Sequence, residues 1–493
     1  MGGVTSFGWV VLGVSLVAVA AIVSNRISDR IRIPAPALFL VGAAVASDVF
    51  PTLGSMRVEA VQNVVTAALI MILFDGGMGI GWRRLRPNIG AVLWIGVAGT
   101  AVTAAGIAAF AHLVLGFGWQ VALLLGTALS PTDPAVVFSV LGRREIVGRS
   151  GTLLEGEAGA NDPVGIALMA ALVGTTGLSG GSAVVHGLVE FGRQMLIGGL
   201  IGVVAGWLLL RLMRRMPLTS EALYPIRTLA SAGVVYGLAT VAGGSGFLAV
   251  FVAGILVGDA NAPYKREIER FHSAIASLAE IVAFVVLGLT ISLHRLPEVD
   301  ALWPGLLIAV VLTLLIRPLL VGLVSLPVRL RAGERVFVLW AGLKGAVPIL
   351  LGTFALTSNI TGAERIYEIV FVVVTFSVVV QGGLAPTVAR WSRVPMRSTE
   401  LEPWALGMRF REEPTGLRRY RVAAGSTADG STIEDLPLGE NLWISMINRD
   451  GRLIQVGRDT VLHAGDEILA LTDADNTGVD PGTIFTAVTA RED

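Results

Sequence analysis

LLLGTALSPTDPAVVFSVL, residues 123–141, is apolar enough to cross a bilayer but is built to break midway. Pro131 and Pro134 each remove a backbone donor, and each pushes the preceding residue, Ser130 or Asp133, away from helical geometry. The spacing therefore predicts a membrane helix interrupted near Thr132 and Asp133. Irregular backbone at that depth persists only where it is buried in protein or lines a cavity.

A second run carries the same signature. AGLKGAVPILLG, residues 341–352, places Lys344 between two glycines, with Pro348 following. The two interrupted spans lie seven helices apart, and an odd offset makes them run in opposite directions. Paired broken helices in inverted halves point to a transporter's substrate site.

The rest of the chain fits that class. Of 493 residues, 54% are hydrophobic and only 15% are charged, where a soluble protein carries about a quarter. Mean hydropathy is +0.73. With no cysteine, disulfides, thiolate metal sites and cysteine nucleophiles are excluded. Net charge is zero, and nothing suggests a nucleic-acid partner; membrane lipids are the expected surroundings. About thirteen spans of roughly 20 residues each are expected, at 7–25, 33–50, 58–80, 89–112, 118–141, 151–175, 187–210, 223–241, 245–258, 273–293, 300–325, 335–357 and 366–388. The fold class is an all-α polytopic membrane protein with inverted repeats and two crossed interrupted helices.

Arginine clusters mark alternate connections, among them Arg83, Arg84 and Arg86, then Arg143, Arg144 and Arg149, then Arg211, Arg214 and Arg215. Positive charge favours the cytoplasmic side. The expected topology has the N-terminus outside and the C-terminus inside, in the plasma (inner) membrane. Residues 1–390 form the transmembrane domain and 391–416 a linker. Short alternating runs (LWISMI, LIQV, EILAL) between turn residues predict a small β-rich (α+β) cytoplasmic domain over 417–475. A polar tail, 476–493, follows.

The sixth span raises the main electrostatic question. EGEAGANDPVGIAL, residues 155–168, carries three acids into the bilayer, each costing about 2.5–3.5 kcal/mol on insertion scales. Helical spacing stacks Glu157 on Asn161 and Ala158 on Asp162. Glu155 lies about 10 Å from Asp162 along the helix, toward the cytoplasmic mouth of any ion path. Two mid-membrane cations are available, Arg317 and Lys344. A carboxylate fixed beside an arginine is a structural pair. One without a fixed partner can take up a proton or, when ionised, hold a cation. Glu157 is assigned the first role, with Arg317, and Asp162 the second. The competing reading pairs Asp162 with Lys344 as an inert bridge. For Asp75, in ILFDGGMGI, two roles are open: lining the ion path and bracing a broken helix. Glu280 is open between structure and function, and His112 reads as a surface histidine.

Taken together, SPTDP, then EGE-x3-ND-P, then GLKGAVP resemble the NhaP/NHE branch of monovalent cation/proton antiporters, over roughly residues 7–390. The tail, with AGST-x-DG early and HAGDEIL late, resembles the TrkA-C subdomain of potassium-transport regulators. The resemblance implies an NhaA/NhaP-like fold and a homodimer. It implies ion and proton handling at Asp162, helped by Asn161, Thr132 and Asp133, and a Glu157–Arg317 bridge. It further implies one-for-one electroneutral exchange of K+, or of Na+, for H+. For Lys344 two roles are open: a fixed counter-charge at the helix crossing and a part in proton coupling. No cofactor and no metal beyond the transported monovalent cation is implied; a small regulatory ligand or nucleotide is implied for the tail. Two departures stand out. Relatives often have serine where this chain has Ala158, and commonly arginine where it has Lys344. Two other classes compete. A ligand-gated cation channel would need a filter motif that is absent. An intramembrane aspartyl protease using Asp133 and Asp162 would leave Asn161 and Lys344 without a role.

Overall fold

The structure is a computed structural model that describes residues 34–141, 144–146, 149–175, 180–259, 264–298, 300–358, 360–398, 417–438, 442–449, 452–472 and 484–485. The first expected span, 7–25, lies outside the described residues, as does most of the tail beyond 472. The chain divides near residue 405 into a large helical unit and a small C-terminal one.

In the large unit, α1 (Ala35–Val49) and α2 (Val58–Leu85) are followed by α3 (89–113), which contains a π-helical stretch at Trp94–Gly99. The fifth expected span is broken into α4 (Trp119–Ala128) and α5 (Pro134–Leu141). Next come α6 (Arg149–Gly174), α7 (Gly180–Arg215), α8 (Leu223–Val241), α9 (Gly246–Gly258) and α10 (Lys265–Leu289). Helix α11 (Leu302–Val324) has a π-helical middle at Leu312–Val321. The twelfth span is broken into α12 (Ala332–Trp340) and α13 (Ala346–Thr357). Helix α14 (Ala363–Trp391) has a π-helical stretch at Ser377–Gly382.

Two helices differ from expectation in length. Helix α7 runs well past 187–210 at both ends, because no proline interrupts it until Pro217, two residues beyond its last residue, Arg215. Helix α10 starts at Lys265, so the basic KREIER segment is its first turns rather than a loop. The segment expected as a linker also contains order: β2 (Met396–Ser398) pairs antiparallel with β1 (Arg144–Ile146).

Glycine sets how the helices meet. Gly77 on α2 faces the backbone of Phe251 and Ile255, while Gly254 and Gly258 on α9 face the carbonyls of Phe74 and Met78. Each glycine lies three or four residues from the next contact, so the two backbones touch along a small-residue stripe. Gly198, Gly202 and Gly206 on α7 receive Ser245, Ala249 and Ala253 in the same way. This clamps α9 on two sides. At 13 residues it extends only about 20 Å, less than the hydrocarbon core, and its neighbours cover its ends.

The small unit is a four-stranded antiparallel sheet in the order β3 (Leu417–Arg421), β6 (Glu467–Thr472), β4 (Leu442–Arg449), β5 (Arg452–Ile454). Its core is Val422, Leu436, Ile444, Ile447, Leu462, Ile468 and Phe485. The two tail motifs meet here. Asp429 accepts from the Gly425 and Ala464 N–H groups, at 3.0 and 2.9 Å, and Gly430 N–H donates to Leu462 O.

Candidate functional site: two broken helices and the acids beside them

Each break leaves orphan backbone groups. A helix that stops exposes its last four carbonyls, and the ends carry opposite partial charges, negative at the C-terminus and positive at the N-terminus. Four such ends converge here, and each has an answering group.

The C-terminal end of α12 is fully accounted for. Phe337 O accepts from Ala341 N–H at 2.7 Å. Leu339 O and Val338 O accept from Arg317, from Nε at 2.8 Å and a terminal nitrogen at 3.4 Å. Trp340 O accepts from Gln381 Nε2 at 2.5 Å. The C-terminal side of α4 is met by Lys344, whose Nζ donates to Ser130 O at 3.0 Å and Pro131 O at 2.9 Å. Both cations therefore sit where the helix dipoles are negative. Both are buried, Arg317 3% and Lys344 1% exposed.

The N-terminal ends gather around an acid. Asp133 directly precedes α5, and its carboxylate packs against Gly345, which directly precedes α13. Its own N–H donates across the crossing to Leu343 O at 2.8 Å, so one backbone bond ties the breaks together. A side chain at position 345 would collide with Asp133, which accounts for glycine there.

Helix α6 lies alongside. Arg317 donates to Glu157 Oε1 at 2.8 Å, with both side chains 5% exposed or less. Asn161 and Thr132 grip each other: Asn161 Nδ2 donates to Thr132 Oγ1 at 2.6 Å, and Thr132 N–H donates to Asn161 Oδ1 at 3.2 Å. Asn161 thus satisfies an amide freed by the first break. Asp162, half-buried, makes no hydrogen bond or ion pair among the described residues. Its charged neighbours are Asp133 and Lys344. The Lys344 ammonium is engaged with carbonyls, so it forms no bridge to Asp162. Ala158, one turn away, is buried and brings no hydroxyl.

The other expected residues lie further out. Glu155 is partly exposed and pairs with Arg84 at 3.8 Å. Asp75 is half-buried on α2, and the charge acting on it is that of Glu269 on α10. His112 is half-buried, hydrogen-bonded through Nδ1 to Phe117 O and stacked on Trp119.

Three participants had no place in the sequence reading. Gln381, Ser377 and Trp340 brace the second break from behind, and the visible signal was a lone amide in the apolar SVVVQGG. Glu280 was singled out without a role; it sits on the buried stripe of α10, with Oε1 lacking a hydrogen-bond partner and Asp133 as its charged neighbour.

Broken, crossed helices with charges matched to their ends, around a half-buried carboxylate, define a secondary transporter for a small cation rather than an enzyme. Comparison with known proteins agrees. Residues 14–391 match the family model "Sodium/hydrogen exchanger, transmembrane", and residues 417–478 match the TrkA-C domain. The chain belongs to the sodium/hydrogen exchanger family and is a cation/proton antiporter. It is 33% identical to the K(+)/H(+) antiporter NhaP of Alkalimonas amylolytica, over 94% of this chain and 80% of that one. It is 30% identical to the K(+)/H(+) antiporter NhaP2 of Shewanella sp. (strain MR-4), over 93% and 80%. Its fold resembles the sodium proton antiporter MjNhaP1 of Methanocaldococcus jannaschii at pH 8, with a TM-score of 0.64 and 22% identity, over 76% of this chain and 98% of that one.

Proposed function

We propose that the protein exchanges K+ for H+ across the plasma membrane, one for one, with the two ions competing for Asp162. The observation that carries this reading is the unequal commitment of the charges. Glu157 is held by Arg317, Arg317 also caps α12, and Lys344 caps α4. Asp162 alone of the α6 acids is left without hydrogen bond or ion pair among the described residues. A single carboxylate that holds either one proton or one monovalent cation moves equal charge in each direction, which makes the exchange electroneutral.

Alternating access follows from the same arrangement. The crossing, Asn161 and Asp162 move as one body, because the Asp133–Leu343 and Asn161–Thr132 bonds tie them together. Thr132 and Asp133 complete the ion site, and the apolar outer face of α7 (Leu188, Leu196, Leu200, Trp207) is covered by lipid or by the second copy of a homodimer. K+ is favoured over Na+ because the relatives named for K+/H+ exchange match nearly the whole chain. The Na(+)/H(+) antiporter ApNhaP of Aphanothece halophytica matches 64% of it, at 28% identity. The TrkA-C domain faces the cytoplasm and regulates exchange through a small ligand.

Asp162→Asn tests the reading. The variant is expected to insert and fold normally but to lose exchange in everted vesicles. Cation-coupled proton flux at the wild-type rate would overturn it. Proton release from proteoliposomes driven by K+ or by Na+ in separate assays decides selectivity.

A further inference from the structure

The Arg317 and Lys344 contacts explain how the two C-terminal ends among the four interrupted backbone ends are held. They do not explain what keeps Lys344 itself in place. Its ammonium reaches forward to Ser130 and Pro131, from a segment, Gly342–Gly345, with no helical bonds of its own. Beside that segment is a small cavity lined by Thr313, Arg317, Gly342, Lys344, Ser377 and Gln381. Packing alone leaves room for the segment to shift.

The hydrogen bonds behind it close that freedom. Lys344 N–H donates to Ser377 Oγ at 2.9 Å. Ser377 Oγ–H donates to Gln381 Oε1 at 2.9 Å, and Thr313 Oγ1 donates to the same oxygen at 3.4 Å. The Gln381 amide Nε2 then donates a hydrogen bond to Trp340 O at 2.5 Å, and Trp340 Nε1 donates back to Gln381 O at 3.1 Å. One buried side chain, 3% exposed, thus holds the residue before the break and, through Ser377, the lysine within it. Gln381 and Ser377 both lie in the π-helical stretch of α14, and Thr313 lies in that of α11. A π-turn inserts a residue and re-aims its neighbours, so two local irregularities point polar groups at a third.

We propose that Gln381 is a positioning residue for ion exchange: with Ser377 and Trp340 it forms a polar brace that fixes where the Lys344 charge stands relative to Asp162. The charges facing Lys344 are Arg317 from α11 and Glu157 and Asp162 from α6. Asp133 lies beside the adjoining Gly345. Arg317 and Glu157 are fixed by their own bond. Loosening the brace therefore alters chiefly the electrostatic contact between Lys344 and the proposed exchange acid. The inference rests on the reading of Asp162 given above.

The test compares Gln381→Leu and Ser377→Ala with wild type, as full-length protein in proteoliposomes, across a pH series. Both variants are expected to move the pH of half-maximal K+-driven exchange in the same direction, by about half a unit, a change of about three-fold in the apparent proton-binding constant. The double variant should move it no further than the larger single shift, since both act through one chain of bonds. Ser377→Thr, which keeps the hydroxyl, should restore the wild-type profile. Ser377→Ala removes a single oxygen and keeps the test decisive if Gln381→Leu does not fold. Unchanged pH profiles in folded variants, or shifts that simply add, would overturn the brace. If Asp162→Asn still exchanged while the brace variants shifted the profile, the brace would stand and only the Asp162 assignment would fall. The reverse pattern overturns the brace alone.

Discussion

Glu157→Gln isolates the buried ion pair from the ion site. Removing one partner of a buried pair costs about 3–5 kcal/mol, because the remaining charge is left uncompensated. Two features of this pair lower the figure. Glutamine keeps an oxygen in reach of the Arg317 guanidinium, and that guanidinium still donates to Leu339 O at 2.8 Å and Val338 O at 3.4 Å. A loss of about 2–3 kcal/mol is expected, toward the lower end for a broken buried pair. For a chain of this length that corresponds to a melting shift of roughly 2–3 °C, extending the size scaling known for smaller domains. Arg317→Leu should be worse. It leaves Glu157 charged and buried and also strips two carbonyls at the end of α12, so its loss should reach or exceed about 5 kcal/mol. The assay is thermal unfolding of detergent-solubilised protein, paired with K+ titration of exchange for whichever variant reconstitutes. The half-saturating K+ concentration of Glu157→Gln should stay near wild type. An unchanged melting temperature, or Glu157→Gln proving more damaging than Arg317→Leu, would refute the reasoning.

Two further outcomes can be checked directly. Gly345→Ala would place a Cβ 2.6 Å from the Asp133 carboxyl carbon, inside any real contact, so exchange should fall at least about ten-fold, the equivalent of 1.4 kcal/mol; a wild-type flux would mean that Asp133 can move away freely. In the C-terminal unit, burial disfavours the Asp466 carboxylate, but the Arg449 fork at 2.8 Å on both oxygens and the His463 N–H at 2.9 Å outweigh it and hold Asp466 below the usual carboxylate range. A group with a depressed folded pKa stabilises above its unfolded value and loses that contribution as pH falls through the folded one. Hydrogen-exchange protection over 417–472 in the intact protein should therefore decline below about pH 4, and Asp466→Asn should show reduced protection already at neutral pH. Equal protection of variant and wild type at pH 7 would contradict this.

Much of the site was legible before any coordinates. Proline spacing around Thr132 and Asp133 dictates a break because a missing N–H and a clash with the preceding turn act locally. The glycines and Pro348 around Lys344 act the same way. Glu157 and Arg317 were also readable as partners, since two charges cannot stay in hydrocarbon apart. The C-terminal strands followed from period-2 alternation, and the β3-β6-β4-β5 order of the sheet did not, because pairing is a matter of which edge finds which.

Residue types and local spacing thus determined that this is a membrane protein with two broken helices, a carboxylate-rich sixth span and a β-rich tail. Only the tertiary structure decided what each charge does. Lys344 turns to the carbonyls of Ser130 and Pro131 instead of Asp162, Arg317 caps α12 as well as pairing with Glu157, and Asp75 lies by Glu269 rather than at the crossing. Gln381, some forty residues from Trp340 in the chain, emerges as the brace of the second break. The reason is physical. Sequence spacing fixes which groups a helix must bury and which backbone atoms it orphans, whereas the partner that satisfies them comes from whichever helix packs within hydrogen-bond reach, a distance of about 3 Å that no one-dimensional pattern encodes.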